Sequence, residues 1–191
     1  MSPGCATVRT TDTPRTATEM ALVNVASSRA VDQLRVDSLR DQRVFVDTSY
    51  LYGQGIQINT AQDQAFLVGE VRAKLLRSGA RLMNTREEAN VVVEVRNAIL
   101  GVDRFEYLLG IPAIRAPGAD VESVPLLLPE LAILKNLRQR GYSSVALVAF
   151  YTETGAILDE SGPVVGETSR EDYWFLGIGP QTSGDIPTIQ N

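Results

Sequence analysis

The run of β-branched residues between Asn90 and Ile99 constrains the fold of this chain more than any other feature. It contains Val91, Val92, Val93 and Val95, and such side chains pack well on the pleated surface of a sheet. We therefore predict a central strand over these residues. The rest of the chain must supply its neighbouring strands and the helices that cover it.

Helices and strands alternate in the first half of the chain. Residues 16–40 carry apolar side chains at three- and four-residue steps, which predicts an amphipathic helix facing a sheet. A second helix is predicted from Thr60 to Arg77, with Gly79 at its end. A capping-box pattern from Thr85 to Glu88 predicts one further helical turn. Two short strands are predicted in the same half, at Arg43 to Asp47 and Arg81 to Met83.

Proline and glycine dominate the next stretch, residues 100–128, which we predict to be irregular. Pro129 and Glu130 suit the first positions of a third helix, which is predicted to run to Arg140 and to stop at Gly141. Three more strands follow, the first two joined by a hairpin turn at Thr154-Gly155. They are predicted at residues 143–152, 156–159 and 173–178.

This order of elements predicts an α/β (α+β) fold with a single mixed, mostly antiparallel sheet and about three helices packed mainly on one face. At 191 residues, of which 44% are hydrophobic, the chain is long enough to bury a core without disulfides or metals. We predict one α/β domain over residues 19–179. An anchor or tether segment at 1–18 precedes it, and a loose tail at 180–191 follows it.

Cys5 is the single cysteine of the chain. Small residues precede it, as they do at the processing site of a bacterial lipoprotein, and a polar run from Thr7 to Thr18 suits a flexible tether. We therefore predict that Cys5 is the site of lipid attachment. The alternative is an ordinary terminal thiol, because only four residues precede Cys5 and the apolar segment of a signal peptide is missing.

Composition argues against several classes of function. The net charge is −5 and the arginines are scattered along the chain, so we expect no nucleic-acid partner. The chain has no histidine, which removes the commonest general base and the commonest ligand of transition metals. We therefore predict a non-enzymatic protein without catalytic residues, metal or cofactor. The enzymatic alternative is a hydrolase or transferase that uses carboxylates alone.

Two aromatic segments are candidates for a contact surface. Residues 101–112 mix charged, aromatic and aliphatic side chains inside a long excursion between two strands, and such excursions often carry function. Residues 173–176 are a run of large apolar side chains. The alternative is that these aromatics cover one end of the sheet. We predict a partner-binding or self-association surface made of Asp103, Arg104, Phe105, Glu106, Tyr107, Tyr173 and Trp174.

Several phrases of the sequence resemble bacterial envelope lipoproteins. Three of them resemble strands in the α/β domain of the CsgG-like curli-secretion channels and of the lipoprotein activators of peptidoglycan synthases: Arg43 to Val46, Glu88 to Val95, and Val145 to Leu158. The chain from Cys5 to Pro187 also resembles a group of bacterial lipoproteins without an assigned activity. The shared phrases are Cys5-Ala6-Thr7, Ser28 to Asp32, Gly101 to Arg104, and Gly184 to Pro187.

These resemblances imply a lipid-anchored protein of the bacterial outer membrane that faces the periplasm and binds or scaffolds another envelope protein. The alternative that they imply is a subunit of an oligomeric ring or collar in an outer-membrane secretion assembly. A channel subunit of that type needs two hairpins whose strands alternate over about 9–11 residues. Prolines and charges interrupt residues 100–128, and no long hairpin is predicted after Leu158. We therefore expect no pore made by this chain itself.

Overall fold

A six-stranded sheet is the framework of the computed structural model, which describes residues 15–51, 58–111, 114–115, 127–128 and 131–186. The helices are α1 (Ala17–Asp32) and α2 (Ile58–Arg77), with a short 3-10 turn at Asp37–Leu39 between α1 and the first strand. The strands are β1 (Arg43–Asp47), β2 (Arg81–Leu82), β3 (Val91–Ile111), β4 (Ile114–Arg115), β5 (Leu127–Leu128), β6 (Leu131–Tyr151), β7 (Ile157–Phe175) and β8 (Ile178–Gly184).

The strand order of the main sheet is β2-β1-β3-β6-β7-β8, and β4 pairs with β5 in a separate two-stranded ribbon. β1 runs parallel to β2 and β3, whereas β3, β6, β7 and β8 pair antiparallel in turn. The prediction of a mixed, mostly antiparallel sheet is confirmed. The described residues contain two α-helices rather than the three that were predicted.

Both helices pack on one face of the sheet, as predicted. α1 begins with a capping box, in which the Thr16 hydroxyl accepts a hydrogen bond from the Glu19 amide and the Glu19 carboxylate accepts one from the Thr16 amide. A single cluster of buried side chains joins α1, α2 and the sheet. Its fully buried members include Val31, Leu67, Val71, Leu75, Val91, Val93, Val95 and Val145.

Glycines in β6 and β7 let α1 lie directly on the strands. A Cβ atom on Gly166 would lie 2.0 Å from the Ala26 carbonyl oxygen, and one on Gly141 would lie 2.7 Å from the Leu22 carbonyl carbon and oxygen. Close by, the Ser27 hydroxyl lies 3.1 Å from that of Ser143. Leu22 lies against Gly141, which pairs with Thr168 of β7, whereas Ala26 lies against Gly166, two residues earlier in β7. The first turn of α1 therefore points toward the start of β6.

The predicted third helix is wrong. Residues 131–140 belong to β6, a 21-residue strand that runs on to Tyr151; Pro129 and Glu130 lie outside the described residues. Leucines at 131, 134 and 137 recur at the three-residue step of a helix face. Pairing with β3 on one side and β7 on the other decides the conformation instead, because tertiary context outweighs local propensity.

Three further predictions are corrected. Residues 100–111 are not irregular but continue β3. After Leu158, β7 and β8 form a hairpin, but β8 has seven residues, fewer than the about 9–11 that a membrane-spanning strand needs. The predicted loose tail at 180–191 contributes to β8 as far as Gly184, and Ile186 is buried. Residues 85–88 form bends and a turn rather than a helical turn.

Candidate functional site

β3, β6 and β7 continue past the point at which their parallel neighbour β1 ends, and β8 joins them there. β1 pairs with β3 only from Val91 to Glu94, whereas β3 and β6 stay paired as far as Ile111 and Leu131. We term the four-stranded part beyond this point the extension. It consists of residues 100–111, 131–142, 167–175 and 178–184, and it contains every residue that was predicted for the contact surface.

The register of the extension assigns its side chains to two faces, because residues directly opposite on neighbouring antiparallel strands share a face. α1 lies on the face of Gly141, which we term the helix-side face. The other is termed the open face. Three rows of β3, β6 and β7 residues cross the open face: Phe105–Arg138–Glu171, Tyr107–Asn136–Tyr173 and Leu109–Leu134–Phe175.

The open face brings the two predicted aromatic segments together. Phe105 and Tyr107 are 62% and 59% exposed, and Tyr173, two strands away in the same row as Tyr107, is 39% exposed. Asp103 lies on the same face, opposite Arg140. Aromatic and arginine side chains are the types that contribute most to protein interfaces. The open face therefore has the composition of a protein-binding surface.

Fixed charges surround the aromatics of the open face. Glu171 forms an ion pair with Arg138 and accepts a hydrogen bond from the Tyr173 hydroxyl. The hydrogen bond from Tyr173 and the charge of Arg138 lower the pKa of Glu171, and the same hydrogen bond raises the pKa of Tyr173. Glu171 therefore stays ionised and holds one aromatic and one cationic side chain in place.

The helix-side face carries the remaining predicted residues. Arg104, Glu106 and Trp174 lie there because they alternate with the open-face residues along β3 and β7. Lys135 Nζ lies 2.8 Å from Glu106 Oε1, and an Arg104 nitrogen lies 3.5 Å from Glu106 Oε2. The hydrogen bond from Lys135 is the main reason that the pKa of Glu106 is lowered. A cavity of about 410 Å³ opens beside these residues, lined by Arg104, Ala132, Lys135, Leu137, Trp174 and Gly177.

The structure therefore divides the predicted contact residues between two faces. Asp103, Phe105, Tyr107 and Tyr173 share the open face, whereas Arg104, Glu106 and Trp174 lie on the other. Cys5, the predicted lipid site, lies outside the described residues.

Sequence reasoning missed Arg138 and Glu171, the charged pair at the centre of the open face. Both lie in segments that were not predicted to be strands, so no alternation was looked for there. The signal was present in residues 169–175, where serine, glutamate, tyrosine and phenylalanine occupy every second position.

The extension has two lateral edges. Within the described residues, β3 beyond Leu100 pairs only with β6, and β8 pairs only with β7. An edge strand presents unpaired backbone groups to any strand that can reach them. Pro180 in β8 lacks an amide hydrogen, which limits pairing at that edge.

The described residues contain no group of three or more His, Cys, Asp or Glu side chains that could hold a metal ion. In the same part of the chain, none of the helices has both the length and the apolar character needed to span a membrane.

Comparison with known proteins assigns the chain to a family but assigns it no function. No curated protein matches the sequence. A family model does match it, over residues 3–189 and therefore over almost the whole length. The chain belongs to this family, which is described as a family of unknown function (DUF6655).

Proposed function

We propose that this protein is a non-enzymatic envelope lipoprotein that binds or scaffolds another envelope protein through the open face of its extension. A lipid on Cys5 anchors it to the bacterial outer membrane, and the domain faces the periplasm. The observation that carries the proposal is that Tyr107 and Tyr173, distant in sequence, share one exposed row beside the Arg138–Glu171 ion pair.

The chemistry of the open face supports a protein as its partner. Exposed phenylalanine and tyrosine rings supply contact area at a small cost in side-chain entropy, and arginine adds planar hydrogen-bond donors. The ion pair is formed already in the free protein, so its geometry is set before a partner arrives. Such preorganisation favours specific binding over general adhesion.

Site-specific photo-crosslinking in the host envelope tests this proposal. A photoreactive amino acid at Tyr107 is expected to form an adduct with one other protein, and the variant Arg138→Glu should abolish that adduct. Tyr50 is the matched control, because it is the same residue type and 60% exposed, but it lies outside the extension. Equal adducts at Tyr50 and Tyr107, or none at Tyr107, would contradict the proposal.

The lipid anchor has a separate test. Protein extracted from host membranes is expected to carry acyl chains on Cys5 when its N-terminal peptide is analysed by mass spectrometry. Cys5→Ser should remove that modification. An unmodified thiol in the membrane-extracted protein would contradict the anchor while leaving the crosslinking result unaffected.

A ring or collar subunit of a secretion assembly is the second candidate, and the two edges of the extension favour it. Contact between the β3 edge of one copy and the β8 edge of the next is a head-to-tail arrangement, which closes into a ring when the rotation allows. Light scattering of the detergent-extracted protein distinguishes the candidates. A closed oligomer of defined mass supports the ring, and a monomer supports the tethered binding protein.

A further inference from the structure

The far end of the extension is free of charge on all four strands. We term Leu109–Ile111, Leu131–Leu134 and Phe175–Ile178 the apolar tip. No Asp, Glu, Lys or Arg occurs in these segments. Seven large side chains in them are between 49% and 80% exposed: Leu109, Ile111, Leu131, Ile133, Phe175, Leu176 and Ile178. Soluble monomers rarely expose so many contiguous apolar side chains without a partner.

Aromatic residues mark the border between the apolar tip and the rest of the extension. Tyr107 and Tyr173 occupy one row on the open face, and Trp174 lies in the next row on the helix-side face. Lys135, the one charged residue of the Trp174 row, forms an ion pair with Glu106, which lies further from the tip. Tyrosine and tryptophan are enriched at the boundary between lipid headgroups and hydrocarbon, where a lysine extends its amine toward water.

We propose that the apolar tip inserts into the hydrocarbon of a lipid bilayer as far as this aromatic border. Ile111 lies two residue steps beyond Leu109 along β3, which corresponds to about 7 Å. That length agrees with the depth of about 5–10 Å to which interfacial apolar segments enter a membrane. Residues 112–130, which connect Ile111 to Leu131, include Arg115, Asp120, Glu122 and Glu130. Because charged side chains are costly in hydrocarbon, the proposal requires these residues to stay among the headgroups, which limits the tip to the headgroup–acyl boundary.

Lipid fits the apolar tip better than a protein partner does. Protein interfaces combine apolar contacts with polar and charged groups, and the row of Phe105, Arg138 and Glu171 has that mixture. The tip has none of it. Because the attraction is hydrophobic, it requires no anionic lipid. The two proposals share the row of Tyr107 and Tyr173, which borders the tip. They differ in the neighbouring rows: the charged row of Arg138 and Glu171 would contact protein, and the uncharged tip would contact lipid.

The orientation of α1 is compatible with the same membrane surface. Its first turn points toward the extension, since the Leu22 carbonyl lies against Gly141 while Arg35 further along the chain bonds Ser161. Cys5 lies ten residues before Arg15, a stretch that spans at most about 35 Å when fully extended. The N-terminal end of α1, from which the chain leads to Cys5, therefore lies toward the extension.

Vesicle binding by the full-length protein tests the proposal. Cys5→Ser is introduced throughout, so that no acyl group can attach the protein to lipid. Trp174 is the single tryptophan and lies at the border, so its fluorescence reports insertion directly. With phosphatidylcholine vesicles we expect a shift of the emission to shorter wavelength, quenching by lipids brominated on the upper acyl chain, and binding that salt does not reduce.

The tip variant Leu176→Asn/Ile178→Asn is expected to lower vesicle affinity at least about tenfold. Leu176 has a positive φ of 49°, a conformation that asparagine tolerates well, so this variant should fold. Leu76→Asn/Ile157→Asn is the matched control, because these residues are 56% and 67% exposed but lie outside the extension. The control should bind as tightly as the parent. Thermal unfolding verifies that both variants are folded.

Four results would overturn the proposal. They are no binding of the folded parent to phosphatidylcholine vesicles, equal loss of binding in the tip and control variants, binding only to anionic vesicles that salt reverses, and self-association that the tip variant abolishes without any vesicle binding. The last result would assign the tip to a second copy of the chain. None of these results changes the expected crosslink at Tyr107, so the two proposals fail separately.

Discussion

Gly166→Ala tests the close approach of α1 to β7. A Cβ atom at position 166 would lie 2.0 Å from the Ala26 carbonyl oxygen and 2.6 Å from the Ala30 amide nitrogen. Both are backbone atoms of a helix, so no side-chain rotation can relieve the overlap. An ordinary contact requires 3.4 Å or more, and α1 or β7 must therefore retreat by about 1.4 Å.

That retreat loosens a large part of the core. α1 contributes six buried residues, including Leu22, Val23 and Val31. Overpacking a well-packed interior costs about 1–3 kcal/mol, and more when backbone must move. We therefore expect Gly166→Ala to lower the free energy of unfolding by about 3 kcal/mol, a large part of the roughly 5–15 kcal/mol that a domain has.

Urea unfolding followed by far-ultraviolet circular dichroism measures this change. Gly69→Ala in α2 is the control, because a Cβ at Gly69 would meet no atom within 4 Å. It should raise the free energy of unfolding by about 0.5–1 kcal/mol, since alanine favours a helix over glycine. If Gly166→Ala stays within about 0.5 kcal/mol of the parent, the close packing of α1 on β7 is wrong.

Three further changes test other contacts. Arg29 and the Ser169 amide lower the pKa of Asp185 from 3.8 to about 2, so its stabilisation is complete above pH 3.8 and is lost as the pH falls toward 2. Asp185→Asn should lower the free energy of unfolding by about 1 kcal/mol at pH 7, after allowance for partial exposure, and by little at pH 2. A loss of stability that does not depend on pH would contradict the ion pair. Ser27→Ala should cost about 1–2 kcal/mol because it removes the buried hydroxyl that bonds Ser143, and if Ser27→Ala leaves urea unfolding unchanged, that contact is not formed. Leu176→Asn should raise stability by about 0.5–1 kcal/mol by relieving a positive φ, which thermal unfolding measures.

Elements with a strong local pattern were predictable from the sequence. The strand at Arg43–Asp47 agrees residue for residue, and the helix predicted to end at Arg77 does so. The valine run gave the start of β3 within one residue. In each of these three elements the spacing of apolar residues fits one type of secondary structure, because neighbouring elements bury one or both of its faces.

β6 was not predictable in this way. Its first half has Leu134 on the open face and Leu137 on the helix-side face, so no face is uniformly apolar and no alternation is visible. The three-residue step of its leucines favours a helix when considered alone. Only the ladders to β3 and β7 fix the strand, and these partners lie about 20 to 40 residues away in sequence.

The faces of the site could not be assigned from the sequence because a β-bulge exchanges them. Val93 and Val95, at odd positions of β3, are buried under the helices. Phe105 and Tyr107 are also at odd positions, yet they lie on the open face. Three residue steps of β3, from Asn97 to Leu100, lie opposite two residue steps of β6, from Val145 to Ser143. This β-bulge adds one residue to β3 and moves all its later side chains to the opposite face.

Stability and surface chemistry are separated along the same strands. All the buried hydrophobic side chains found in the described part of the chain lie outside the extension, whose own buried side chains are the polar Gln139, Thr168 and Asp172. Strand pairing and ion pairs therefore hold the extension, while the core beneath α1 and α2 holds the domain. A chain that keeps Phe105, Phe175 and Ile178 exposed on such a support gains nothing from them in its own core. We expect their contribution to come from the protein and lipid contacts proposed for them, because the charged rows and the uncharged tip are two chemically different surfaces.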